Sequence, residues 1–144
     1  INLLEGNFMK ATFGHVLMHI DVKNISFYKD LFTAMAWSLW CDQPNMLGVG
    51  DANGGSLWFG QAPHAVNNDY DGIGMNHLAI SVSEQNDVDE MVAYLQAHNI
   101  PALFETPRHR PEFCGSPDET YYQVMFESPD RILFEVVYTG PVSK

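Results

Sequence analysis

The chain has 144 residues, 46% of them hydrophobic, which is enough apolar side chain to bury the core of one domain and excludes a disordered or fibrous chain. Seven Lys and Arg against eighteen Asp and Glu leave a formal charge of −11, which repels phosphate backbones and anionic lipid surfaces, so neither nucleic acid nor membrane is expected as a partner. Two cysteines, Cys41 and Cys114, stand too far apart for a CxxC motif, no apolar run approaches the ~20 residues of a membrane span, and 1–10 lacks the shape of a signal peptide, so a cytoplasmic protein with reduced thiols is expected.

In chain order, the first periodic segment is His15-Val-Leu-Met-His-Ile-Asp21. Its alternation puts Val16, Met18 and Ile20 on one face, the signature of a half-buried strand. Ile25, Tyr28, Leu31 and Phe32 then recur at helical spacing behind Asn24, a candidate N-cap. Short β-like stretches follow at 36–40, 46–49 and 56–61, the last two joined by the turn Asp51-Ala-Asn-Gly-Gly55. A connection rich in Pro, Asn, Asp and Gly occupies 62–74. After it the pattern begins again, 62 residues on. His77-Leu-Ala-Ile-Ser-Val-Ser83 carries Leu78, Ile80 and Val82 on one face and His77, Ala79 and Ser81 on the other, so His15 and His77 hold the same place in two copies. Val88, Met91, Val92 and Leu95 follow at helical spacing behind Asp87 as N-cap, with Asn99 as the stop, and strands are expected at 102–105, 121–127 and 132–138, with 128–131 as a turn.

Each half therefore reads β-α-β-β-β, and aligning Gly60 with Glu135 leaves about 13 extra residues in the second, assigned to a loop at 107–119. Units of this size are expected to pack against one another or against a second chain, with strands curled around a shared cavity. A carboxylate inside Ile-Leu-Phe-Glu-Val-Val137 is costly to bury unless a cation meets it. Two imidazoles and one carboxylate, His15, His77 and Glu135, suit a divalent metal that keeps positions open for substrate.

The opening His15-x-x-x-x-Ile-Asp21 with Ser26-Phe-Tyr-Lys-Asp-Leu31, the second His77-Leu-Ala-Ile-Ser-Val82, and the closing Tyr121-Tyr-Gln-Val-Met-Phe-Glu-Ser-Pro-Asp-Arg-Ile-Leu-Phe-Glu-Val-Val137 together resemble the vicinal oxygen chelate superfamily of glyoxalases, extradiol dioxygenases and bleomycin-resistance proteins. The resemblance implies an α+β fold: one glyoxalase-like domain over 1–144, made of two tandem βαβββ modules at 13–61 and 75–140 whose curled mixed sheets surround a metal cavity. It also implies His15, His77 and Glu135 as ligands of a divalent ion, Zn, Fe(II), Mn or Ni, and a homodimer closed by a second chain. His19, on the face of His15, is the alternative first ligand. Where glyoxalases carry a fourth ligand, this chain reads Ser56-Leu-Trp-Phe-Gly-Gln61, leaving Gln61 as the nearest polar side chain.

The expected function is that of a metal-dependent enzyme of glyoxalase or dioxygenase type, a lyase, isomerase or dioxygenase acting on a small substrate with vicinal oxygens. The alternative is a binding protein that sequesters a small molecule without catalysis, as bleomycin-resistance proteins do; a fosfomycin-type transferase is a third reading. Arg108, His109 and Arg110 form a basic island suited to an anionic substrate, and Tyr122 is the candidate phenolic proton donor.

Overall fold

The structure, a computed structural model, describes residues 8–143 and divides into two compact units near residue 65. In the first unit, β1 (His15–Ile20) runs through a short 3-10 turn, Val22–Asn24, into α1 (Ile25–Ala34), followed by β2 (Ser38–Gln43), β3 (Met46–Gly50) and β4 (Ser56–Gln61). The second unit has β5 (Leu78–Ser81), α2 (Gln85–Ala97), β6 (Leu103–His109), a 3-10 turn Pro111–Phe113, β7 (Glu119–Glu127) and β8 (Leu133–Pro141). The sheets are ordered β1-β4-β3-β2 and β5-β8-β7-β6, and in each the first and last strands in sequence pair parallel while the other pairs are antiparallel. Two four-stranded mixed sheets, neither closed into a barrel and each carrying one helix, make the fold α+β, as the repeat requires.

Alternation decides which face of each sheet takes the helix. Met18, Ile20, Leu47, Val49, Leu57 and Phe59 are buried with Tyr28, Leu31 and Phe32 of α1, and Tyr28 stacks on Phe59 with ring centroids 4.5 Å apart. In the second unit Ile80, Val124, Phe126, Phe134 and Val136 are buried with Val88, Met91 and Leu95 of α2. Both helices end in the same way. Ala36 N–H donates to Thr33 O and Trp37 N–H to Phe32 O, while Asn99 N–H donates to Gln96 O and Ile100 N–H to Leu95 O, each pair closing a Schellman motif around a left-handed residue, Ala36 (φ 63°) or Asn99 (φ 56°).

Several local expectations are corrected. The N-cap of α2 is Glu84; Asp87 lies inside the first turn, where its carboxylate reaches back to accept from Glu84 N–H at 3.0 Å. Strand β2 begins at Ser38 because the left-handed Ala36 is spent on ending α1. The stretch assigned to an inserted loop is strand as far as His109. Phe104 and Glu105 adopt positive φ (56° and 59°), the register shifts between Leu103 and Arg108, and the Thr106 hydroxyl bridges the break by donating to Leu103 O (2.6 Å) and accepting from Met125 N–H (2.9 Å). Finally, the registers pair Ala79 with Glu135 and Leu17 with Trp58, so the counterpart of Glu135 in the first sheet is Trp58, not Gly60. No helix among the described residues is long and apolar enough to cross a membrane.

Candidate metal centre

The site grows from the face of the second sheet that lies opposite α2. Registered partners share a face, so Glu135 lies with Ala79 and Met125, and the period of two adds His77, Gln123 and Tyr121. Glu135 is 3% exposed, and its burial is partly relieved by the Tyr121 hydroxyl, which donates to Oε1. The other oxygen, Oε2, stands 3.7 Å from His77 Nε2.

The protonation of His77 follows from its neighbours. Asn76 Nδ2 donates to Tyr70 O at 2.8 Å, which turns Asn76 Oδ1 toward His77 Nδ1, 2.7 Å away. Because a carbonyl oxygen only accepts, Nδ1 must carry the proton, and the neutral ring then presents a lone pair at Nε2. In the neutral ring that lone pair faces a carboxylate oxygen across 3.7 Å. Such a gap calls for a positive centre. Neutral imidazole and carboxylate are the donors that Zn, Fe(II), Mn and Ni accept, so the pair fits as two ligands of a divalent cation. Within neither unit do the described residues bring three His, Cys, Asp or Glu side chains together as a metal cluster. His15 and His19 lie in the first unit, exposed on the face of β1 that turns away from α1.

The phenol beside the carboxylate is Tyr121, which sequence reasoning passed over in favour of Tyr122. Tyr122 alternates to the other face, where its hydroxyl donates to Asp89 Oδ1 of α2 at 2.6 Å, and burial, reinforced by that bond, pushes its pKa up to about 12. Tyr121 is also raised, first by burial and then by its bond to Glu135, so both phenols stay protonated at neutral pH.

The basic island is divided by the same alternation. Arg108 pairs with Gln123 and so shares the face of Glu135; its Nη1 lies 3.5 Å from Glu105 Oε2, and its buried Nε has no hydrogen-bond partner among the described residues. His109 pairs with Tyr122 on the α2 side, its Nδ1 2.5 Å from Thr120 Oγ1 and its ring stacked on Tyr122 at 4.4 Å. Arg110 donates to Glu112 and lies over the Phe113 ring, 4.7 Å from its centroid; that guanidinium holds the Glu112 carboxyl below its usual range. Gln61 is held locally, accepting from Val22 N–H at 3.0 Å and donating to Ala62 O at 3.1 Å.

No family model and no curated protein sequence matches the chain. Solved structures do. A glyoxalase-like protein from Bacillus halodurans superposes with a TM-score of 0.74 at 24% identity, over 90% of this chain and 96% of the other. A glyoxalase/bleomycin resistance protein from Albidiferax ferrireducens T118 gives 0.69 at 15%, over 88% and 98%. The genomically encoded fosfomycin resistance protein of Listeria monocytogenes, in its complex with Mn(II) and sulfate, gives 0.63 at 18%, over 90% and 91%. The chain shares the fold of these glyoxalase and bleomycin-resistance structures.

Proposed function

We propose that the protein is a metal-dependent enzyme of glyoxalase or dioxygenase type that acts on a small substrate with vicinal oxygens, and that His77 and Glu135 hold its divalent cation. The observation that carries this reading is the lone pair of His77 Nε2 facing Glu135 Oε2 across 3.7 Å, with the His77 tautomer held by Asn76. The resemblance adds His15 as a third donor, on the repeat alone. A cation bound there acts as a Lewis acid toward two neighbouring substrate oxygens. The chain's own contribution is a fixed donor set: Asn76 orients the imidazole, Tyr121 occupies the second carboxylate oxygen, and the sheet face keeps Glu135 out of water. Arg108 is the residue of the basic island that this reading keeps for an anionic group of the substrate, since it lies on the face of Glu135 with a buried donor to spare. Manganese in the Listeria structure supports a divalent ion for this fold.

A second reading rests on the same distance. A proton on His77 Nε2 also closes the gap, as an ion pair with Glu135, and the protein is then a small-molecule binder without a metal. Metal analysis separates the two. Protein purified without chelator, or reconstituted with Mn(II), Fe(II), Ni(II) or Zn(II), is expected to hold near one equivalent, lost in His77→Ala and Glu135→Gln; less than about a tenth of an equivalent after reconstitution overturns the enzyme reading.

A further inference from the structure

Glu135 is anchored from an unexpected direction. Its Oε1 accepts from Tyr121, a residue two strand positions beyond Gln123 on the neighbouring β7, and Tyr121 is in turn held by the turn that follows β6. Arg110 N–H donates to Tyr121 O at 2.7 Å, tying the start of that turn to the backbone of β7. The Phe113 ring meets the Tyr121 ring edge-on, centroids 5.2 Å apart at 77°. The Arg110 guanidinium lies 4.7 Å from the Phe113 centroid while donating to Glu112, so the two residues on either side of Pro111 in the chain are tied to each other and to the turn. Phe113 N–H closes the turn on Arg110 O at 3.0 Å.

We propose that Tyr121 is the positioning residue of the cation site: its hydroxyl fixes which oxygen of Glu135 is offered beside His77, and the turn Arg110–Phe113 holds the phenol in place. The proposal rests on His77 and Glu135 being cation ligands. The terminal torsion of a glutamate is broad, so a carboxylate held at neither oxygen turns freely and presents one or both oxygens to a cation. With Oε1 taken by Tyr121, Glu135 offers Oε2 alone. Arg110, grouped by the sequence with Arg108 and His109 for an anionic substrate, has a different task in this reading, holding the turn against Tyr121.

The test is a Co(II) titration of the full chain, followed by calorimetry and by the visible ligand-field spectrum, with circular dichroism to confirm the fold. Wild type, Tyr121→Phe, Phe113→Leu and Glu135→Gln are compared. Tyr121→Phe is expected to weaken Co(II) binding roughly 10- to 100-fold and to lower the intensity of the visible bands as the freed oxygen adds to the coordination shell, a change that a loosened fold alone does not produce. Phe113→Leu is expected to move both readouts in the same direction by less. Folded Tyr121→Phe with the affinity and spectrum of wild type overturns the proposal and leaves the assignment of His77 and Glu135 standing; should that variant not fold, unchanged affinity and spectrum in Phe113→Leu overturns it. Wild type that binds no Co(II) overturns both.

Discussion

Two adjacent tyrosines show how much a single residue of register decides. Tyr121 meets Glu135 and Tyr122 meets Asp89 because β7 and β8 pair Glu127 with Leu133 across a five-residue connection closed by Ser128 N–H to Ile132 O at 2.9 Å. A four-residue turn over 128–131 pairs residue 127 with residue 132 instead, and every side chain of one strand then changes face relative to the other. Left-handed Arg131 (φ 57°) and the Ser128 hydroxyl, which accepts from Ile132 N–H at 3.1 Å, hold the longer connection. Tyr122 also offers a pH test. Its folded pKa of about 12 lies above the ordinary 10.0, so the stability it contributes is complete below about pH 10 and is lost as pH rises through about 12. The stability of wild type, measured by denaturation, is therefore expected to fall more steeply over that interval than that of Tyr122→Phe. Ultraviolet tyrosinate titration checks the cause: a phenol missing from the variant should be one of the last to ionise, and finding instead that the missing phenol ionises near 10 contradicts the contact with Asp89.

At the scale of elements, helices were legible where spacing alone specifies them, and strand ends were not. The apolar periods of α1 and α2, and the stop at Asn99, are local features of chain chemistry, and the structure has them where the sequence places them. Strand β6 continues through Pro107 to His109, past the expected end at residue 105. What preserves the pairing is a hydroxyl from Thr106, 8% exposed, bonded to Met125 of a strand that lies 19 residues away. The two Schellman motifs differ in one residue that matters. Asn99 suits the left-handed conformation, whereas Ala36 carries a Cβ into it, at a cost of roughly 1–2 kcal/mol. Ala36→Gly is therefore expected to stabilise the protein by about 1 kcal/mol, less whatever glycine gains in the unfolded chain, and chemical denaturation measures it as a higher midpoint at unchanged slope. A midpoint that falls would show that Ala36 is held by contacts its conformation conceals.

For the whole molecule, the repeat is the organising fact. Both sheets have the same strand order and the same parallel pairing of first and last strands, so a pattern visible at an offset of 62 residues became two copies of one topology. Among the described residues, the end strands of each sheet pair with one neighbour only. On β2 the edge carries Leu39 and Trp40, 43% and 51% exposed, in a chain whose charge of −11 otherwise favours solubility. These exposed side chains support the proposal of a homodimer, for which sedimentation at micromolar concentration should give a species of twice the chain mass, with Trp40→Lys shifting it toward the monomer; a single monomeric species in wild type refutes it.

The sequence by itself determined the repeat, the α+β class, the buried faces of β1 and β5, and the candidacy of His77 and Glu135, because periodicity and a carboxylate among apolar neighbours are properties of adjacent residues. Tertiary structure decided the rest of the site. Which tyrosine meets Glu135, which oxygen is left for His77, and where Arg108, His109 and Arg110 part company all depend on partners 14 to 33 residues apart, or on one residue of register between strands. Even the hydrogen bond that orients His77 comes from Tyr70 through Asn76, in a stretch that borders the connection between the two copies. Hydrogen bonds across strands are set by pairing geometry, and no local pattern of residue types encodes that to within a single position.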